Sequence, residues 1–173
     1  MKIGIVLFLL MLLKINCNRS SIDFANQWST TIKQNIIEDV NVQNDNTSID
    51  STNNMFWNFT LYHNGIRTKL FRINPTTNDT LLSIFYSPDQ KFELVRELCP
   101  GQESSFEGIR YKNKQVGLAE FRYCNGKLKE QGYRFGEDVG IWREWDKNGK
   151  QIKETDYGNS ASLKQLKNIN YRN

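Results

Sequence analysis

GYRFGEDVGIWREWDKNGKQIKE, residues Gly132–Glu154, contains two landmarks that also occur one unit earlier in the chain. Val139-Gly140 repeats Val116-Gly117, and Asn148-Gly149-Lys150 repeats Asn125-Gly126-Lys127, in both cases at a spacing of 23 residues. Two landmarks that keep one spacing mark a structural repeat. Beyond the second turn one residue is inserted, so that Lys129-Glu130 corresponds to Lys153-Glu154 and Tyr133 to Tyr157. Half of a further unit lies upstream, where Glu107-Gly108 before Ile109-Arg110-Tyr111 echoes Gln131-Gly132 before Tyr133-Arg134-Phe135.

From Met55 onward the chain consists of short runs rich in Phe, Tyr, Trp, Ile, Leu and Val, separated by Gly, Pro, Asn and Asp. Such runs read as strands and turns. Asn64-Gly65, Asn125-Gly126 and Asn148-Gly149 each sit between strand-like segments, and Asn-Gly accepts the positive φ that a type I′ hairpin turn requires at both central positions. Three hairpins are therefore expected, with a fourth turn at Ser87-Pro88-Asp89-Gln90. A two-strand unit cannot bury its own apolar face, so neighbouring units must stack and share it. Tyr111, Phe121, Tyr123, Tyr133, Phe135, Trp142, Trp145 and Tyr157 put aromatics on both faces of the pleat, and some stay exposed unless something covers them. The expected fold is mainly β, an antiparallel sheet of successive hairpin repeats over residues 55–158 with one N-terminal amphipathic helix.

Gly132-Tyr133, Gly136, Gly140-Ile141-Trp142 and Asn148-Gly149-Lys150 together resemble a bacterial MORN repeat of the variant type, across Phe106 to Gly158. The preceding unit departs from that pattern by carrying Ala119 where the later one has Trp142. Further upstream, Tyr86 to Glu97 keeps only an aromatic, an Asp89-Gln90-Lys91 turn and a terminal Arg96-Glu97. The resemblance implies hairpins used for binding, usually without an assigned reaction, and in some members an antidote role in a toxin–antitoxin pair.

Outward from the repeats, residues 18–40 carry Ile22, Ala25, Trp28, Ile32 and Ile36 at steps of three and four, with Ser20 or Ser21 as N-cap. That is the period of an amphipathic helix. Residues 41–54 are polar and read as a linker, and residues 159–173 as a C-terminal tail. Residues 3–13, IGIVLFLLMLL, form an uncharged apolar run between Lys2 and Lys14. A membrane span takes about 17 to 25 residues of helix, so residues 1–17 read as an export signal. Cys17 is either acylated, since the run before Cys17-Asn18-Arg19 resembles a lipoprotein leader, or discarded by ordinary cleavage after it. The lipoprotein pattern has Leu and a small residue where Lys14 and Asn16 stand. Acylation would attach the chain to a membrane through an N-terminal lipid. Asn18, Asn46, Asn58 and Asn78 head sequons that matter only in a glycosylating secretory pathway.

With 173 residues, three Cys, one His and a mean hydropathy of -0.62, the chain suits one soluble domain and neither a polytopic membrane protein nor a disulfide-dense scaffold. Losing Lys2 and Lys14 with the leader takes the formal net charge from +4 to +2, and the remaining cations are interspersed with acids. No basic stripe forms, which argues against nucleic acid. Cys99 and Cys124 remain as an even pair, expected to bridge in an oxidising compartment, the alternative being two buried thiols that never meet.

His63, beside a turn, is the only histidine, so neither a His pair for a metal nor a second His base exists. Glu120, Glu130, Glu144 and Glu154 occur about once per strand, as on solvated faces, and no Gly-rich phosphate loop opens a helix. No cofactor, metal or catalytic residue is assigned. Trp, Tyr and Arg supply most hot-spot energy at protein interfaces, which makes Tyr123, Trp142, Arg143 and Trp145 the candidate partner-binding residues, the alternative, above all for Trp142, being a sheet core covered by the N-terminal helix. The expected function is binding of a protein partner by an exported, non-enzymatic repeat domain. The rivals are a small exported hydrolase using carboxylates in a groove of the sheet and a lipid-binding envelope module.

Overall fold

The computed structural model describes residues 2–41, 46–53, 56–101 and 103–171, with side chains from Ser20 onward except those of residues 49–53. One α-helix, α1 (Lys2–Val40), precedes ten strands. They are β1 (Asn46–Asn53), β2 (Phe56–His63), β3 (Ile66–Ile73), β4 (Thr80–Tyr86), β5 (Phe92–Leu98), β6 (Ser104–Tyr111), β7 (Lys114–Arg122), β8 (Leu128–Phe135), β9 (Asp138–Trp145) and β10 (Gln151–Asp156). A 3-10 helix, Ser160–Asn168, follows. The strands form one antiparallel sheet in strict sequence order, the architecture expected of consecutive hairpins that must share a face.

The helix stripe read from the sequence is the docked one. Ala25, Trp28, Ile32 and Ile36 are buried together with Phe92, Leu94, Ile109, Val116, Tyr133 and Val139 of the sheet. Fully burying such side chains is worth about 1.5 to 3 kcal/mol each, ample to hold the segment from Ala25 to Ile36 against the strands. The helix crosses the strands. Asn26 meets Tyr133 of β8, Ser29 meets β7, Lys33 meets Glu107 of β6, and Ile37 packs on the cluster that includes Phe85 of β4. Cys17 itself falls where side chains lie outside the described part of the structure.

Gly117 and Gly140, the repeat landmarks, both have positive φ, 75° and 64°. Both lie at strand bulges, where Ile109 pairs with Val116 but Gly108 with Ala119, and Tyr133 pairs with Val139 but Gln131 with Arg143. The bulge at Gly117 frees the Leu118 N–H, which donates to Ser29 Oγ of α1 at 2.9 Å. A Cβ on Gly117 would strike Ser29 and Trp28. The bulge at Gly140 is filled by the C-terminal segment instead, with Gly140 N–H donating to the Gly158 carbonyl and Tyr157 N–H to the Gly140 carbonyl.

Three expectations need correcting. Within the stretch 41–54 read as a linker, Asn46–Asn53 form β1, paired with β2; residues 42–45 and 54–55 lie outside the described residues. An edge strand is held by backbone hydrogen bonds along one side and needs few apolar side chains, which is why composition did not reveal it. The 159–173 tail is part of the core, with Leu163, Leu166 and Tyr171 buried and the Trp28 indole N–H donating to the Ile169 carbonyl at 3.1 Å. Finally, only Asn64-Gly65 has positive φ at both residues (51° and 75°). At Asn125-Gly126 and Asn148-Gly149 only the glycine does, and the bonds Tyr123 N–H to Lys127 O and Asp146 N–H to Lys150 O close three-residue loops. That is the hairpin form ending in a left-handed glycine bulge.

Candidate binding surface

The face of the sheet turned away from α1 has its own apolar cluster, Val95, Phe106, Ala119 and Trp142, with Leu82, Ile84 and Phe121 packed against it. No helix covers it. The rings shield one another and lie flat on small residues of the pleat: a Cβ on Gly132 would strike the Trp142 indole, and one on Gly108 the Phe106 ring. The Arg134 guanidinium sits 5.6 Å from the Phe121 ring centre and 5.1 Å from that of Trp142, while Arg134 Nε bonds Asp138 at 2.8 Å. Trp142 is only 6% exposed and donates its indole N–H to the Tyr133 carbonyl. It is therefore a core residue, as the sheet-core alternative had it, but on the face away from α1 and not under the helix. In the preceding unit the same space is filled from another position, with Ala119 in place of Trp142 and the Phe106 ring covering Gly108.

Of the other three candidates, Tyr123 lies in the β7–β8 connection and Arg143 and Trp145 lie toward the end of β9. Tyr123 Oη donates to the Trp145 carbonyl at 2.9 Å, and Arg143 Nε pairs with Glu154 at 2.9 Å. Both Tyr123 and Trp145 are half-buried. Side chains of one turn also reach the backbone of the next: the Asn125 amide donates to Lys147 O and Lys127 Nζ to Asn148 O. On the other side, Cys99 and Cys124 form a disulfide, with Cα atoms 5.5 Å apart, joining the β5–β6 loop to the β7–β8 turn. Asp146 accepts from the Asn148 and Lys150 amides, and its carboxyl lies below the usual range because the Lys150, Asn148 and Gly149 amides favour the charged form. Three alternate connections, β5–β6, β7–β8 and β9–β10, are thus fastened side by side into one edge. Sequence singled out Tyr123 and Trp145 but missed Asn125 and Lys127 as links. The signal was present in the repeat spacing, which sets equivalent turns side by side.

On the α1 face, Arg96, Glu107, Glu120, Gln131, Arg143 and Glu154 occupy directly paired positions from β5 to β10. Glu107 and Glu120 are therefore opposed, as are Glu130 and Glu144 on the other face. Glu130, Glu144 and Glu154 are each about a third or more exposed, as the sequence reading had it, and only Glu120 is more covered; the facing pairs are new, since spacing along the chain does not reveal which residues oppose one another. Lys33 of α1 donates to Glu107 at 2.6 Å and lies 4.0 Å from Glu120; Arg96 also donates to Glu107. Burial pushes the Glu107 carboxyl up, but the Lys33 and Arg96 charges and hydrogen bonds outweigh it and hold the group below the usual carboxylate range. A glutamate held ionised between two cations is a poor proton donor near neutral pH. Glu130 and Glu144 are each engaged by a lysine, Lys129 at 3.4 Å and Lys153 at 2.7 Å. His63 lies beside the Asn64-Gly65 turn, its Nε2 3.1 Å from the Asn64 amide nitrogen. Among the described residues no group of three or more His, Cys, Asp or Glu could hold a metal ion.

No protein-family model matches this chain, and no curated protein matches it. Among solved structures, a mutant of S. aureus TarM in complex with Fondaparinux, alpha-GlcNAc-glycerol and UDP aligns over 86% of this chain and 30% of its own, at 14% identity and a TM-score of 0.37. A second TarM crystal structure aligns over 87% of this chain and 29% of its own, at 14% identity and a TM-score of 0.35. The chain spans less than a third of the length of these structures.

Proposed function

We propose that this chain is an exported, non-catalytic binding module that holds a protein partner on the edge built from its Asn-Gly turns. The observation that carries the reading is the fastening of three neighbouring connections of one edge by the Cys99–Cys124 disulfide and the Tyr123-to-Trp145, Asn125-to-Lys147 and Lys127-to-Asn148 hydrogen bonds. A pre-ordered surface loses little conformational entropy on association, which is where affinity is otherwise spent. Tyr123 and Trp145 on that edge, with Arg143 beside them, are the residue types that anchor interfaces. The Arg143–Glu154 pair is nearly half exposed, so exchanging Glu154 for a partner carboxylate costs little. The apolar run at residues 3–13 and the disulfide support export into an oxidising compartment.

The test is partner retention in a pull-down from envelope and culture-supernatant fractions of the native cell. Trp145→Ala and Arg143→Ala should each lower retention while leaving the thermal melt cooperative, and Glu144→Gln should leave it unchanged. If a single Glu→Gln change instead abolishes a hydrolytic activity of the purified protein, the hydrolase reading replaces this one.

A further inference from the structure

At the opposite edge of the sheet, the β6–β7 and β8–β9 turns and the 3-10 helix surround a pocket of about 470 Å³, within the size range of small-molecule sites. The β6–β7 turn is a tight one, with Lys112 and Asn113 both at positive φ, 49° and 65°. It brings Lys112 and Lys114 to the pocket wall, with Lys112 Nζ 5.2 Å from the Tyr111 ring centre. Tyr111 and Phe135 supply aromatic walls, and the 3-10 helix contributes the Gln165 and Asn168 amides. No aspartate or glutamate lines the pocket. Neither lysine has an ion pair among the described residues, whereas Lys33, Lys91, Arg96, Arg110, Arg134 and Arg143 all do.

Two lysines without an acidic partner at the pocket wall, one of them over the Tyr111 ring, with amides able to donate to a second oxygen, favour a ligand with a flat apolar body and one negative group. We infer that this pocket binds a planar aromatic carboxylate. The carboxylate neutralises the lysines, its ring lies against Tyr111 and Phe135, and the Gln165 and Asn168 amides fix its orientation. The C-terminal segment thereby acquires a binding role beyond closing the core.

Isothermal titration of the full, oxidised protein with naphthoate, neutral naphthamide and acetate tests this. Naphthoate should saturate one site, with naphthamide and acetate each at least about tenfold weaker. Lys112→Gln combined with Lys114→Gln should weaken naphthoate by about tenfold, as loss of two partly exposed charge contacts would. Lys147→Gln, at the other edge, should leave its affinity unchanged. Amide shifts on titration should centre on Tyr111, Phe135 and Gln165. Equal affinity for naphthoate and naphthamide, no saturation, or an unchanged affinity in the double lysine variant would overturn the assignment.

Discussion

At the scale of single residues, the aromatic side of the sheet depends on positions with no side chain. Gly132 lies directly under the Trp142 indole at an ordinary negative φ, so alanine there is excluded by the ring and not by the backbone. Gly132→Ala should cost about 1 to 3 kcal/mol by overpacking, read as a lowered denaturant midpoint. Gly149 is the converse case, with φ 93° and open space around a would-be Cβ. Gly149→Val should cost about 1 to 3 kcal/mol through backbone strain alone, while Gly149→Asn, which tolerates the left-handed region, should cost less. The Asn-Gly turns were legible because their chemistry is local. The sequence left Trp142 between core and contact, and its place on the face away from α1 was not legible, because it is decided by what stands opposite on the neighbouring strand, a glycine ten residues earlier in the chain.

Among the elements, α1 is attached by an apolar stripe, by hydrogen bonds at Asn26, Trp28 and Ser29, and by one charged contact, Lys33 between Glu107 and Glu120. Because the folded-state pKa of Glu107 is depressed, its contribution to stability is fully present above the unfolded value of about 4.3 and is lost as pH falls through the folded value. Glu107→Gln should therefore flatten the acid limb of a stability-against-pH curve. At neutral pH it should cost about 1 to 2 kcal/mol, a charged hydrogen bond discounted for partial exposure. A wild-type acid limb retained in the variant would mean that another carboxylate fastens the helix. The helix itself was legible from its 3.6-residue period. β1 and the 3-10 helix were not: an edge strand of Asn, Thr and Ser carries no apolar period, and Leu163, Leu166 and Tyr171 are too few and too irregularly spaced to announce a docked segment.

For the whole molecule, a sheet of ten strands in sequence order has mostly nearest-neighbour contacts, so its rigidity varies along its length and concentrates where cross-links accumulate. The Cys99–Cys124 disulfide closes a loop with a sequence separation of 25 residues, worth about 3 to 4 kcal/mol on the chain-entropy view. Reduction should lower the melting temperature, and alkylation of native protein before reduction should label neither cysteine. The same cross-link stiffens the edge that carries Tyr123 and Trp145, joining stability and the proposed binding in one set of contacts. Site-specific photo-crosslinking in the native cell tests that edge most directly, with a benzoyl-phenylalanine replacing Trp145 in one variant and Asn64, at the opposite edge, in the other. The account predicts a discrete protein adduct from position 145 and none from position 64. Equal adducts from both positions, or an adduct from position 64 alone, would contradict it.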